Sequence, residues 1–126
     1  MNFILPCGDQ HGTRVRIEHS NTILNIAEIR IHGYLAIRIT AATASSTYQG
    51  NENVYGIHRS FDSDTTTFCH TYSGDQEFLQ YDFEYSGVAE VRIVNRAHGG
   101  AQNFIIENMI NGAEVRITQL SVCCKS

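Results

Sequence analysis

The chain has a single lysine, Lys125, and its acidic and basic residues are interspersed to a formal charge of −4. No Lys/Arg cluster forms the footprint that a phosphate backbone requires, so nucleic acid is not an expected partner. No apolar run approaches the roughly 20 residues of a membrane span, and the chain is expected to be soluble. Its first five residues give a short apolar run with no basic start, too little for a signal peptide. There is no GxSxG elbow, P-loop, HExxH or Rossmann fingerprint, and enzymatic activity is not expected. An amphipathic helix of three turns, an internal repeat, a linker, a low-complexity tail and an N-x-Ser/Thr sequon are also missing. Four cysteines are too few for a disulfide scaffold in 126 residues.

Those cysteines are unevenly spread. Cys69 lies inside an apolar segment and reads as a buried thiol. Cys7, Cys123 and Cys124 sit near the two ends, where a bridge and unbridged thiols are both open readings, and with them the redox compartment. No CxxC spacing supports a zinc site built from Cys7, His11, Cys123 and Cys124.

What the chain does have is alternation. Hydrophobic residues make up 42% and charged residues 17%, an ordinary balance for one globular domain spanning residues 1–126. Six segments alternate with period two: Val15 and Ile17; Ile29 and Ile31; Leu35, Ile37 and Ile39; Leu79, Tyr81 and Phe83; Val91 and Ile93; and Val115 and Ile117, which Leu120 and Val122 extend. Each places one face of a strand in a core. Many short strands separated by turns predict an all-β, antiparallel β-sandwich or jelly roll of about eight strands, with ligand loops at its ends. The longest stretch without alternation, 41–77, is rich in Ser, Thr, Asn, Gly and Asp. A loop of that length in a compact domain is usually functional or held by something.

Several phrases resemble the discoidin, or coagulation-factor type C, family of galactose-binding-like domains, and within it the fucose-binding F-type lectins. Ala41-Ala-Thr-Ala-Ser-Ser-Thr-Tyr48 resembles the family's opening. Phe61-Asp-Ser-Asp-Thr-Thr-Thr-Phe-Cys-His-Thr71 resembles its calcium-loop phrase. Glu77-Phe-Leu-Gln-Tyr-Asp-Phe83 resembles a strand usually written with tryptophan. Val91-Arg-Ile-Val-Asn-Arg96 and Asn111-Gly-Ala-Glu-Val-Arg-Ile117 resemble the next two. Val15-Arg-Ile-Glu18 and Leu24-Asn-Ile-Ala-Glu-Ile-Arg-Ile31 resemble the closing strands, yet they come first. The resemblance therefore implies a circularly permuted domain, which neighbouring termini allow, and an extracellular, cell-surface or virion setting.

It also implies a structural calcium ion, with side-chain oxygens from Asp62 and Thr67 and carbonyls from Arg59, Asp64 and Thr67. Glu28 and the Ala27 carbonyl would close the site from the permuted strand. Ca²⁺ takes six to eight oxygens, many of them carbonyls, so an Asp/Thr-rich turn with a distant carboxylate suits it. The plainer account is that Asp62 and Asp64 cap a turn through Asx hydrogen bonds and that Glu28 is solvated. Ser63 stands where the family has glycine.

A sugar site is implied next, in which a histidine and two arginines converge on the ligand. The histidine's place matches His70 and the first arginine's place matches Arg96. The second arginine's place falls on Asn103, and Gly99 and Gly100 stand where the family pairs two cysteines; His98 lies close by. His70 as a core-end histidine and Arg96 as a solvated charge are the plainer accounts. Tyr48, Tyr55, Tyr72 and Tyr85 read as loop tyrosines, for sugar stacking, protein contact or simple cover. His58 reads as an ordinary loop histidine. The expectation is a calcium-stabilised, carbohydrate-binding module. Its rival is a structural or assembly protein, a component of a virion or filament, using the same fold for protein contacts. A membrane-surface role ranks last, because residues 41–77 lack a basic rim with apolar spikes.

Overall fold

Two long strands organise the protein. The computed structural model describes residues 2–19, 23–74, 76–95, 114–117 and 122–124. Its strands are β1 (Asn2–His19), β2 (Ile26–His32), β3 (Ala36–Ile37), β4 (Ala41–Ala44), β5 (Glu77–Asn95), β6 (Glu114–Ile117) and β7 (Val122–Cys124). The one α-helical turn among the described residues is α1 (Glu52–Tyr55), flanked by 3-10 turns at Tyr48–Gly50 and Ile57–Phe61. All pairings are antiparallel, in the order β3-β2-β5-β1-β6-β7, with β4 also on β5.

β1 and β5 pair from Asn2↔Val94 to His19↔Glu77, with register breaks between Pro6 and Gln10 and between Gly12 and Arg14. Beyond the breaks, β5 takes β2 as its second neighbour, with Ile29 opposite Ile93 and Ile31 opposite Val91. On the near side it takes β4, with Ala42 opposite Tyr81, while β1 takes β6. Such irregularities bend a strand and re-aim its side chains. Gly8, with φ +63°, lies in the first break and supplies a backbone geometry that L-residues rarely adopt. Cys7 beside it is buried and disulfide-bonded.

The inward residues of both halves join one core. Val15 and Ile17, Leu79, Tyr81 and Phe83, Val91 and Ile93, and Ile29 and Ile31 are all buried in it with Leu24 and Ile26. Full burial of each such aliphatic stabilises the fold by roughly 1.5–3 kcal/mol. The outward face is polar and paired: Arg14 meets Asp82 at 2.6 Å, and Arg16 lies over the Phe78 ring at 3.9 Å.

Three expectations change in detail. Residues 79–83 and 91–93 belong to a single bent strand, and β1 reaches back to Asn2. The alternation at 35–39 is no full strand: only Ala36 and Ile37 pair with β2, and Leu35 is 75% exposed at the hairpin tip. Residues 41–77 are not a bare loop, for β4 and the helical turns lie within them. The segment is also stitched to the core, since the amides of Cys69 and Thr71 donate to the carbonyls of Ile26 and Leu24, both at 3.0 Å.

Candidate functional site

β2 carries a bulge: Ile26 pairs with Asn95 and Glu28 with Val94, which leaves Ala27 out of the ladder. The extra residue breaks the alternation, so Ile26, Ala27, Glu28 and Ile29 are buried in succession. Glu28, only 3% exposed, meets the turn that follows Phe61. The Ser63 amide donates to its carboxylate, and one oxygen, Oε2, is buried with no hydrogen-bond partner. Burial raises the Glu28 pKa above the ordinary carboxylate value; the Ser63 amide opposes this, Asp62 adds to it, Arg30 opposes it, and Asp64 adds a little more.

The turn itself gathers oxygen. Thr67 Oγ1 lies 2.5 Å from Asp62 Oδ2, 3.0 Å from the Asp64 carbonyl and 3.4 Å from the Arg59 carbonyl. Asp62 Oδ1 accepts from the Asp64 amide at 3.0 Å, and Asp64 Oδ1 accepts from the Thr66 amide and hydroxyl. The Asx caps of the plainer account are therefore present, and around them sit the named oxygens of Arg59, Asp62, Asp64 and Thr67. Ser63 holds φ +63°, a left-handed conformation that favours glycine. Arg59 is the cation at hand, 3.7 Å from Asp62. Among the described residues no group of three or more His, Cys, Asp or Glu side chains could hold a metal alone. A cation here would rely on hydroxyl and carbonyl oxygens as well as carboxylates, a donor set that suits a hard ion.

His70 lies in an aromatic cluster. Its ring is 4.4 Å from that of Tyr48 and 5.5 Å from that of Tyr55, and Tyr72 is 5.9 Å from Tyr48. Backbone bonds lock the arrangement: the His70 amide donates to Tyr55, and the Tyr48 amide donates to His70. His70 Nδ1 is 2.8 Å from the Thr71 carbonyl. Tyr72 is 47% exposed, so the cluster reaches solvent there. Cys69, next in the chain, is a buried thiol facing the core, with its pKa pushed up by burial to about 11. Tyr85 is not in a loop; it sits in β5, 71% exposed. His58 is exposed on a 3-10 turn. Arg96, His98 and Asn103 lie outside the described residues.

One residue that sequence reasoning passed over is Glu77. It is 6% exposed, accepts from the hydroxyls of Ser45 and Ser46 at 2.6 Å each, and accepts from the Gly74 amide at 2.8 Å. The two serines lie 32 and 31 residues before Glu77, so no local pattern joins them to it. Comparison with protein-family models, curated proteins and solved structures finds no match to this chain.

Proposed function

We propose that the chain is a non-catalytic binding module: a circularly permuted, discoidin-like β-sandwich in which a calcium ion fixes segment 41–77 and that end meets carbohydrate. What supports the sandwich is the single core fed by both halves of the β1–β5 ladder. The observation that carries the cation is the buried, unpartnered Oε2 of Glu28 beside the acidic turn where Thr67 meets Asp62. Burying a carboxylate beside Asp62 and Asp64, with Arg30 as the positive charge acting on it, is costly, and a cation offsets that cost. Glu28, Asp62 and Thr67 would hold the ion by side-chain oxygens, and Ala27, Arg59 and Asp64 by carbonyls. When bound, the ion supplies the positive charge that two neighbouring carboxylates need. His70, with Tyr48 and Tyr72, offers a ring surface and polar tips to a sugar face. Asn103, Arg96 and His98 remain the proposed companions of His70.

The test is a glycan-array screen of folded protein with calcium and with chelator, run beside calorimetry with calcium alone. Sugar binding that disappears on chelation, together with calcium uptake, is the expected result. Heat-silent calcium addition overturns the cation, and a blank array from calcium-loaded protein overturns the lectin role.

A second reading, structural or assembly protein, draws on one observation. Tyr34, Leu35 and Tyr85 are exposed by 100%, 75% and 71%. Gly33 packs so tightly on the Gly87 carbonyl that a side chain there would clash, which brings the hairpin against Ser86 and Gly87 of β5, the strand that carries Tyr85. An exposed apolar end of this kind suits protein contact. A stable oligomer that dissociates on Leu35→Ser is its signature in sedimentation. No helix among the described residues is long and apolar enough to cross a membrane.

A further inference from the structure

The outer edge of β2 is covered in two places. Residues 69–71 bond to Leu24 and Ile26, and β3 pairs with Ile31 and His32. Between them a groove of about 390 Å³ opens, lined by Arg30, His32 and Arg38, by Ile37, Ile39 and Phe61, and by Glu28 and Ser63 at one end. That volume lies within the ligand-sized range, roughly 300–1,000 Å³.

Its polar groups are poorly spent. Arg30 stands directly opposite Arg92 across the β2–β5 ladder, and like charges so placed repel. Arg92 is quenched by Glu90 at 2.6 Å, whereas neither Arg30 nor Arg38 forms an ion pair among the described residues. His32 Nε2 is buried without a hydrogen-bond partner. The groove thus offers two exposed guanidiniums, Arg38 without an ion pair among the described residues and Arg30 acting on Glu28, together with an unsatisfied ring nitrogen and an apolar wall.

We infer that this groove binds an acidic sugar unit, a hydroxylated ring bearing carboxylate or sulfate. The anion pairs with Arg30 and Arg38, whose planar forks suit such groups. The ring's CH face lies on Ile37, Ile39 and Phe61, and its hydroxyls reach His32 Nε2 and Ser63. The assignment rests on the carbohydrate reading for the ligand's class, and on the proposed cation to neutralise Glu28 at the groove's end.

The probe is glucuronate, titrated into the full calcium-loaded chain by calorimetry, with glucose as the neutral control. Glucuronate should bind more tightly than glucose, and more weakly as salt rises. Arg30→Gln with Arg38→Gln should cost at least about tenfold in affinity while melting stays at or above that of the parent. Equal affinity in the double variant, or no glucuronate binding by folded, calcium-loaded protein, overturns the groove. An array positive for neutral sugars alone also overturns it while keeping the lectin role, and the two failures are thereby separable.

Discussion

Two buried glutamates contact the same stitched segment, Glu77 at its end and Glu28 from β2 against its Asp62 turn, and the protein treats them differently. Glu77 is satisfied from within: two serine hydroxyls and a backbone amide converge on its oxygens. Glu28, at least as buried, has one amide from Ser63, one oxygen with no partner, and Asp62 and Asp64 close enough to repel it. A buried charge is tolerated only with partners. At Glu77 the chain provides them; at Glu28 it stops short, and an external cation is the partner that the surrounding oxygens suit. The first carboxylate serves as a clamp, and the second is where the cation is proposed to bind.

Breaking the clamp gives the largest expected effect. Glu77→Ala strands the Ser45 and Ser46 hydroxyls and the Gly74 amide, and should destabilise by about 3 kcal/mol, read as a shift of the urea midpoint. Glu28→Gln should do the reverse in cation-free protein, raising the melting temperature by removing a repelled charge. Calcium sharpens the contrast further. At about a hundredfold excess over Kd it should add about 2.7 kcal/mol to the parent, and nothing to Glu28→Gln or Asp62→Asn, by thermal melting. A chelator should return the parent to its starting value.

The connecting segment can be probed through Cys69, whose amide bonds to Ile26 just ahead of the bulge. Burial raises its pKa from the ordinary 9.0 to about 11, and Tyr81 is raised as well, first by burial. For groups raised on folding, the contribution is fully present below the unfolded pKa and is lost as pH rises through the folded one. Stability should therefore decline between pH 9.0 and about 11, with a shallower slope in Cys69→Ala. At pH 8 the native thiol should resist alkylation that the unfolded chain undergoes. The smallest effect is at Ser63, held at φ +63°: Ser63→Gly should relax the turn and stabilise by about 1 kcal/mol, measured by urea unfolding.

Strand identity was legible where hydrophobic contrast was strong. Val15 and Ile17, Ile29 and Ile31, and Leu79, Tyr81 and Phe83 fall in the core as their alternation predicts. β4 was not legible, because Ala41–Ala44 offers little contrast between its faces. The continuity of β5 was hidden by a change of phase: Phe83 and Val91 are buried at odd positions but Val88 at an even one. Of the candidate site, Arg59, Asp62, Asp64 and Thr67 were grouped with Glu28 and Ala27 only through the resemblance to a calcium-loop phrase, since residue spacing alone does not join β2 to that turn. Glu77 was missed because its partners are remote in sequence.

Composition and period two determined that this chain forms strands, which faces they bury, and that it lacks the signatures of nucleic-acid binding and of familiar enzyme motifs. Those properties are local, set by side-chain alternation and by residue type. Where strands bend, which sheet edge stays open and which carboxylate goes unsatisfied were decided only by tertiary structure. A one-residue bulge at Ala27 buries Glu28 against the Asp62 turn, and a hairpin that pairs for only two residues leaves the groove beside Arg30. Register, bulges and the partners of single buried polar groups depend on residues distant in the chain, and no local pattern encodes them.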